Sequence, residues 1–484
     1  MVITFDTQAI ISIVGTLVVC AFSGYTLGSI IVYFLTTNIK SKERNAIFMA
    51  LATVALAVIV NWLFWIDPLQ IAWNSGMFIL AIIVGFVFGT RSIIKLKFES
   101  PLPEGLPLQT EEDKSAIILL TEGVPEEYNP LPYIREYRKK KETDVEQKAF
   151  LLQPFEFFKI KRKYAILEKN QKEIPKIEQE QLTEEKKREI PHKNIVKTMI
   201  TKLEKSFLDF DMYQEAFVND WPTINQAILR VLSLGATRIT ILNTIFGQGF
   251  KYDLFLNEFK RIDYSDLDIA IKETPQLAES EKLIDIYINQ INSNFASDEQ
   301  KDSIGILLLG EGQPPEWDSQ YRKNTQENNF LNNLKQELVK KGFNEDYIQI
   351  SWLKYGQPTF KNGIDILSKK CLKIFCLSPT YLIENLETIY DIPTLIHNIK
   401  TEEVEIEQIP PLNADDEIIK LYLNLITSAE TMPLDLLGDN AKLVLQATKD
   451  IASLEDVSEI TEETKEDEEK ENEEEPVEKS EEEK

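Results

Sequence analysis

Imidazole is the scarcest functional group in this chain. Its 484 residues hold two histidines, His192 and His397, which excludes a site built from several histidine ligands. Cysteine is nearly as scarce, with three residues. Cys20 falls in a long apolar run. Cys371 and Cys376, five apart in the strand-like CLKIFC, point to opposite faces of a strand and make a poor metal pair. Buried, reduced thiols suit a cytoplasmic domain. No basic stripe crosses the part expected to fold, so nucleic acid is not an expected partner. A cleavable signal peptide fits poorly, because no basic segment precedes the first apolar run and two more runs follow.

What the chain does have is apolar length. Residues 9–35, 46–66 and 70–90 are three stretches near the roughly 20 residues that cross a bilayer core. Aromatics gather at their edges, in NWLFWI and at Trp73. Lys40, Lys42 and Arg44 follow the first stretch, and Arg91, Lys95 and Lys97 follow the third. Basic residues mark the cytoplasmic side. The chain is therefore expected to be an integral membrane protein with its N-terminus outside, its soluble part cytoplasmic, and lipid as a partner. Small residues in VGTLVVCAFSGYTLGS permit close helix packing.

The formal charge of −26 is unevenly spread. Residues 455–484 carry about 17 acidic side chains against about 4 lysines. So little apolar surface cannot offset the entropy of ordering, and a disordered acidic tail is expected. It is either simply solvated or a docking arm for a basic protein partner. Between membrane region and tail, strands alternate with amphipathic helices. SAIILL (115–120) reads as a strand. Pro222 and Thr223 open a helix that Gly235 ends, and a strand follows at 238–242. Helices at about 276–293, 327–341 and 359–369 precede strands at 304–309, 347–353 and 372–378, and another helix starts near Tyr381. This is the βαβ rhythm of parallel sheets. The fold class expected is α/β, in two lobes with parallel sheets flanked by helices. The divisions are 1–97 (three transmembrane helices), 98–112 (a proline-spaced linker), 113–265 (first lobe with a charged insertion at roughly 160–195), 266–430 (second lobe) and 431–484 (tail).

Several segments in order resemble the ferrochelatase family across most of 113–400. LLTEGVPEEYNPLPYIREY resembles its opening strand and turn, and KRKYAIL the helix segment after it. NDWPTINQAILRVLSLGATRITIL, WLKYGQP (352–358) and SPTYLIENLETIYDIP (378–393) resemble later segments. The resemblance implies a two-lobed chelatase-like fold with a porphyrin cleft between the lobes, and insertion of ferrous iron or another divalent metal in haem biosynthesis. The metal is substrate, and no cofactor is firmly implied. On that alignment Glu387 takes the family's active-site glutamate. Glu311, in IGILLLGEGQPPEWD, stands where the family has its histidine, and Ile245 where it has a second polar residue.

Those departures leave two readings open. In the first, Glu311 and Glu387 are catalytic, handling metal and protons, and Glu311, Glu384 and Glu387 form an all-carboxylate metal site. Trp317, Trp352 and Tyr355 would then flank a flat ring. A carboxylate needs a raised pKa to serve as base, and ligands lie at strand ends in such sheets. In the second reading the chain is a catalytically inactive relative that binds a tetrapyrrole or serves as a membrane scaffold. His192 is expected to be solvated in the charged insertion, and His397 to sit on a helix face.

Overall fold

The computed structural model describes residues 7–38, 47–52, 54–55, 68–96, 113–145, 150–172, 191–206, 209–264, 267–295, 304–399, 404–431 and 436. Most of the second apolar stretch (46–66), the linker, residues 173–190 of the insertion and nearly all of the tail lie outside them.

Two apolar helices come first, α1 (Thr7–Thr36) and α2 (Pro68–Ile94). Both are long and apolar enough to cross a membrane, over Leu17–Thr36 and Ala72–Ile94. They pack through glycine pairs spaced by four, Gly24 with Gly28 and Gly85 with Gly89. A Cβ at Gly24, Gly28 or Gly85 would overlap the facing carbonyl of Phe78, Ile82 or Tyr25. Backbones approach this closely only across small residues. Gly24 faces Phe78, Gly28 faces Ile82, and Val32 faces Gly89, so the two helices run parallel.

The body is built on two wholly parallel four-stranded sheets. The first holds β1 (Lys114–Thr121), β2 (Met212–Phe217), β3 (Ala236–Asn243) and β4 (Ala270–Glu273) in the order β2-β1-β3-β4. The second holds β5 (Gly305–Gly310), β6 (Ile348–Trp352), β7 (Lys373–Leu377) and β8 (Glu405–Ile409) in the order β6-β5-β7-β8. The orders are the same, strand for strand. Central strands β1 and β5 are buried on both faces, which is why their sequences are continuous apolar runs without alternation. Because β4 pairs with β3, the first sheet reaches beyond residue 265. One large core, including Leu119, Leu242, Leu308 and Phe330, lies across both sheets.

The connecting helices are α3 (Leu131–Glu142), α4 (Gln153–Lys172, after a 3-10 turn at Phe150–Leu152), α5 (His192–Glu204), α6 (Ile224–Ser233), α7 (Phe250–Phe259) and α8 (Glu281–Ser293). In the second half come α9 (Lys323–Lys340), α10 (Phe360–Leu367), α11 (Ile392–Asn398) and α12 (Asp416–Thr431). Thr223 begins α6 as expected, its N–H donating to the Gln226 side chain at 3.0 Å. The helix expected from Tyr381 begins later, as a π turn over Glu387–Asp391 that runs into α11. His192 is not solvated. It is 2% exposed at the start of α5, packs on Phe217, and its Nδ1 lies 2.8 Å from the Glu384 carbonyl. The polar sequence around it hid the apolar face of α5, whose Val196, Met199 and Leu203 enter the core. His397 is exposed on α11. Cys371 and Cys376 are buried free thiols, and burial pushes the Cys376 thiol up to about 12.

Candidate functional site: a charged crevice at the strand ends

Both central strands end in the same short sequence, LLTEGVP at 119–125 and LLGEGQP at 308–314. The glycine of each turn has a left-handed backbone, with φ +74° at Gly123 and +72° at Gly312. A Cβ at Gly312 would strike the Tyr355 carbonyl, so this position requires glycine in both respects. The turns place Glu122 and Glu311 at the carboxyl ends of β1 and β5, beside the point where each sheet's strand order reverses. Open parallel sheets bind their ligands at such points.

Lys251, in the first turn of α7, joins the two halves. Its Nζ lies 2.7 Å from Glu122 Oε2 and 3.0 Å from Glu311 Oε1. Lys323, at the start of α9, reaches Glu311 Oε2 at 2.5 Å. Lys354, after β6, reaches Glu311 Oε1 at 3.0 Å and Glu387 Oε1 at 2.7 Å. The Glu311 side chain, 7% exposed, is thus held by three ammonium groups. Its backbone is fixed as firmly. The N–H groups of Glu311 and Gly312 donate to the wholly buried Glu327 carboxylate at 2.6 and 3.0 Å. Glu136 on α3 adds a further carboxylate, paired to Lys140 at 2.6 Å.

The electrostatics follow from this arrangement. Burial alone would raise the Glu311 pKa, but Lys251, Lys323 and Lys354 hold it well below the usual carboxylate range. Burial likewise opposes ionisation of Glu387, and Lys354 and Lys251 hold it down. Glu136 is lowered against its burial by Lys140, Lys354 and Lys251. Burial disfavours the charged form of Lys354, yet Glu387, Tyr381 and Glu311 keep it protonated. A carboxylate so depressed is a poor base, and ammonium groups so stabilised are poor nucleophiles.

The expected site residues are brought together only in part. Glu311 and Glu387 share Lys354. Glu384 turns away: its side chain accepts from Asn413 Nδ2 at 3.1 Å and its N–H donates to Asn413 Oδ1 at 2.9 Å. Among the described residues no group of three or more His, Cys, Asp or Glu side chains is placed to hold a metal ion. The all-carboxylate set of Glu311, Glu384 and Glu387 is therefore not formed, because a lysine stands where the cation would. Trp317 and Tyr355 do line the crevice. Trp317 is buried, leans on Phe250 with ring centroids 5.3 Å apart, and donates its indole N–H to Thr143 Oγ1 at 2.6 Å. Lys140 sits 5.3 Å above the Tyr355 ring. Trp352 packs instead against Gly310 and Gly356. Ile245 also lines the crevice. The remaining cavity is about 60 Å³, room for roughly four waters.

Glu122, Glu136, Lys251, Lys323 and Lys354 were not singled out from the sequence. The signal for Glu122 was present in the repeat of LL-x-EG-x-P after each central strand. The lysines carry no local signal, since each comes from a different connection.

No protein-family model matches this chain, and no curated protein matches it. Among solved structures it is similar to "SirB from Bacillus subtilis with Fe3+", at 11% identity and a TM-score of 0.42, covering 66% of this chain and 96% of that one. It is also similar to the sirohydrochlorin chelatase SirB from Bacillus subtilis subspecies spizizenii in complex with cobalt. There the identity is 12% and the TM-score 0.41, over 66% and 99% of the two chains. A third is DR2241 from Deinococcus radiodurans, described as a multi-domain protein with structural similarity to chelatases, at 9% identity and a TM-score of 0.40, over 66% and 56%.

Proposed function

We propose that this chain is a membrane-held scaffold of chelatase-like architecture that does not insert metal. The observation that carries this reading is the Glu311 carboxylate bound by three lysine ammonium groups within 3.0 Å. Metal insertion into a porphyrin needs a free ligand for the ion and a base for two pyrrole protons. Glu311 supplies neither while it is ionised and fully paired. Lys251 and its two acidic partners instead tie the turn after β1 to the turn after β5, which makes the crevice a clamp between the two sheets. The sequence resemblance to ferrochelatases over 113–400 supplies the comparison chemistry for the test.

The test is anaerobic metalation by the detergent-solubilised full chain. Porphyrin absorbance is followed with Fe²⁺, and with Zn²⁺ in its place, for the natural chain and for Glu311→Ala. The expected result is no metalloporphyrin and no shifted porphyrin band with either protein. Turnover by the natural chain that collapses in Glu311→Ala would overturn the proposal and restore a carboxylate-based chelatase. A shifted porphyrin band without metal entry would keep the non-metalating part and replace the scaffold by a tetrapyrrole-binding protein.

A further inference from the structure

The start of α4 and the 3-10 turn before it carry apolar side chains that remain exposed among the described residues. Leu151 is 45% exposed, Leu152 48% and Phe155 45%. These residues lie alongside the two apolar helices. The Phe155 ring stacks on Phe86 of α2 with centroids 6.0 Å apart. Phe86 is five residues before Arg91, the basic residue in the last turn of α2, or about 7 Å deeper along the helix. Further along α4 the level changes. Lys161 Nζ donates to the Phe34 and Thr37 carbonyls at 2.8 and 2.7 Å, at the end of α1. On α3, Arg138 donates to the Ile94 and Leu96 carbonyls at the end of α2. α4 thus runs from the level of Phe86 out past the helix ends. Its apolar start lies on the inner side of that level, and its basic run, Lys159 to Lys163, lies at it. Glu156, the one acid in this stretch of α4, is paired to Lys159 at 2.9 Å.

We infer that residues 150–158 form a wedge inserted in the cytoplasmic leaflet, with the exposed Lys159 and Arg162 seated among anionic lipid headgroups, while Lys161 caps α1 and Lys163 pairs with Asp391 at 2.6 Å. This rests on α1 and α2 being membrane helices. Continuity with them selects the occupant, since Phe155 is packed on a residue inside the span and the exposed apolar faces of both elements adjoin. The charge order selects the lipid class, because apolar side chains buried 5–10 Å deep with lysine and arginine above them match an anionic interface.

The experiment uses the full chain in vesicles of phosphatidylcholine and phosphatidylglycerol, spin-labelled in turn at Leu152→Cys, Ile79→Cys and Leu372→Cys. The native thiols are buried. Ile79 (59% exposed) reports the span and Leu372 (76% exposed) the aqueous body. Collisions with oxygen and with a water-soluble nickel chelate are compared. The label at 152 is expected to behave as at 79, open to oxygen and shielded from nickel at least fivefold relative to 372. Shielding should weaken in pure phosphatidylcholine or in the Lys159→Glu, Arg162→Glu double variant. Nickel access at 152 equal to that at 372, with 79 still shielded, overturns the wedge alone. Nickel access at 79 overturns the membrane reading and the wedge with it. Equal shielding in both lipids overturns the headgroup part.

Discussion

Glu311 shows how a residue's role depends on what surrounds its carboxylate. On a strand-end turn it reads as a base or a ligand, and with three lysines around it becomes the centre of a clamp. Removing one partner of a buried ion pair strands the others, at a cost of about 3–5 kcal/mol. Glu311→Gln is expected to lower unfolding stability by that order, measured by denaturant titration in detergent. The sign of its pH dependence follows from the depressed pKa of Glu311, Glu387 and Glu136. Their stabilisation is complete above the unfolded carboxylate pKa of about 4.3 and is lost as pH falls through the lower folded values. The melting temperature of the natural chain should therefore fall steeply below about pH 4.3, and that of Glu311→Gln less steeply. Parallel curves would remove Glu311 from the account. Gly312→Ala should be more damaging than a surface change, because its Cβ meets backbone and its φ is left-handed.

At the scale of elements, the helix pair and the repeated turn matter most. The parallel packing of α1 on α2 depends on glycines facing backbone, so Gly28→Leu or Gly85→Leu must push the helices apart. A spin-label distance between the two helices is expected to lengthen by several ångströms and broaden in either variant. An unchanged distance would mean the pair is held by other contacts. The repeated turn was legible as letters, yet its meaning was not. Of the glutamates in LLTEGVP and LLGEGQP, only Glu311 was read as a site residue from the sequence. Only the folded arrangement shows both meeting one lysine from α7.

At the scale of the whole molecule, the α/β body sits directly on the helix ends, with Lys161 and Arg138 capping the terminal carbonyls of α1 and α2. Cations are favoured at helix C-termini, and these two fix the body to the apolar helix pair. Among the described residues two helices, not the three expected, are long and apolar enough to cross a membrane, and the expectation from the basic residues flanking the apolar stretches is an outside N-terminus. An epitope tag at the N-terminus should therefore be protected in sealed vesicles exposing the α/β body, and a tag at the C-terminus open to protease. Both tags open on one face would refute an odd number of crossings. The sequence by itself determined the apolar helices, the alternation of strands and helices, and the parallel sheets, because apolar periodicity and capping are local properties of the chain. Tertiary structure alone decided the burial of His192, the turning away of Glu384 and the enclosure of Glu311. Each of those depends on side chains brought together from distant connections, and no local pattern encodes such a meeting.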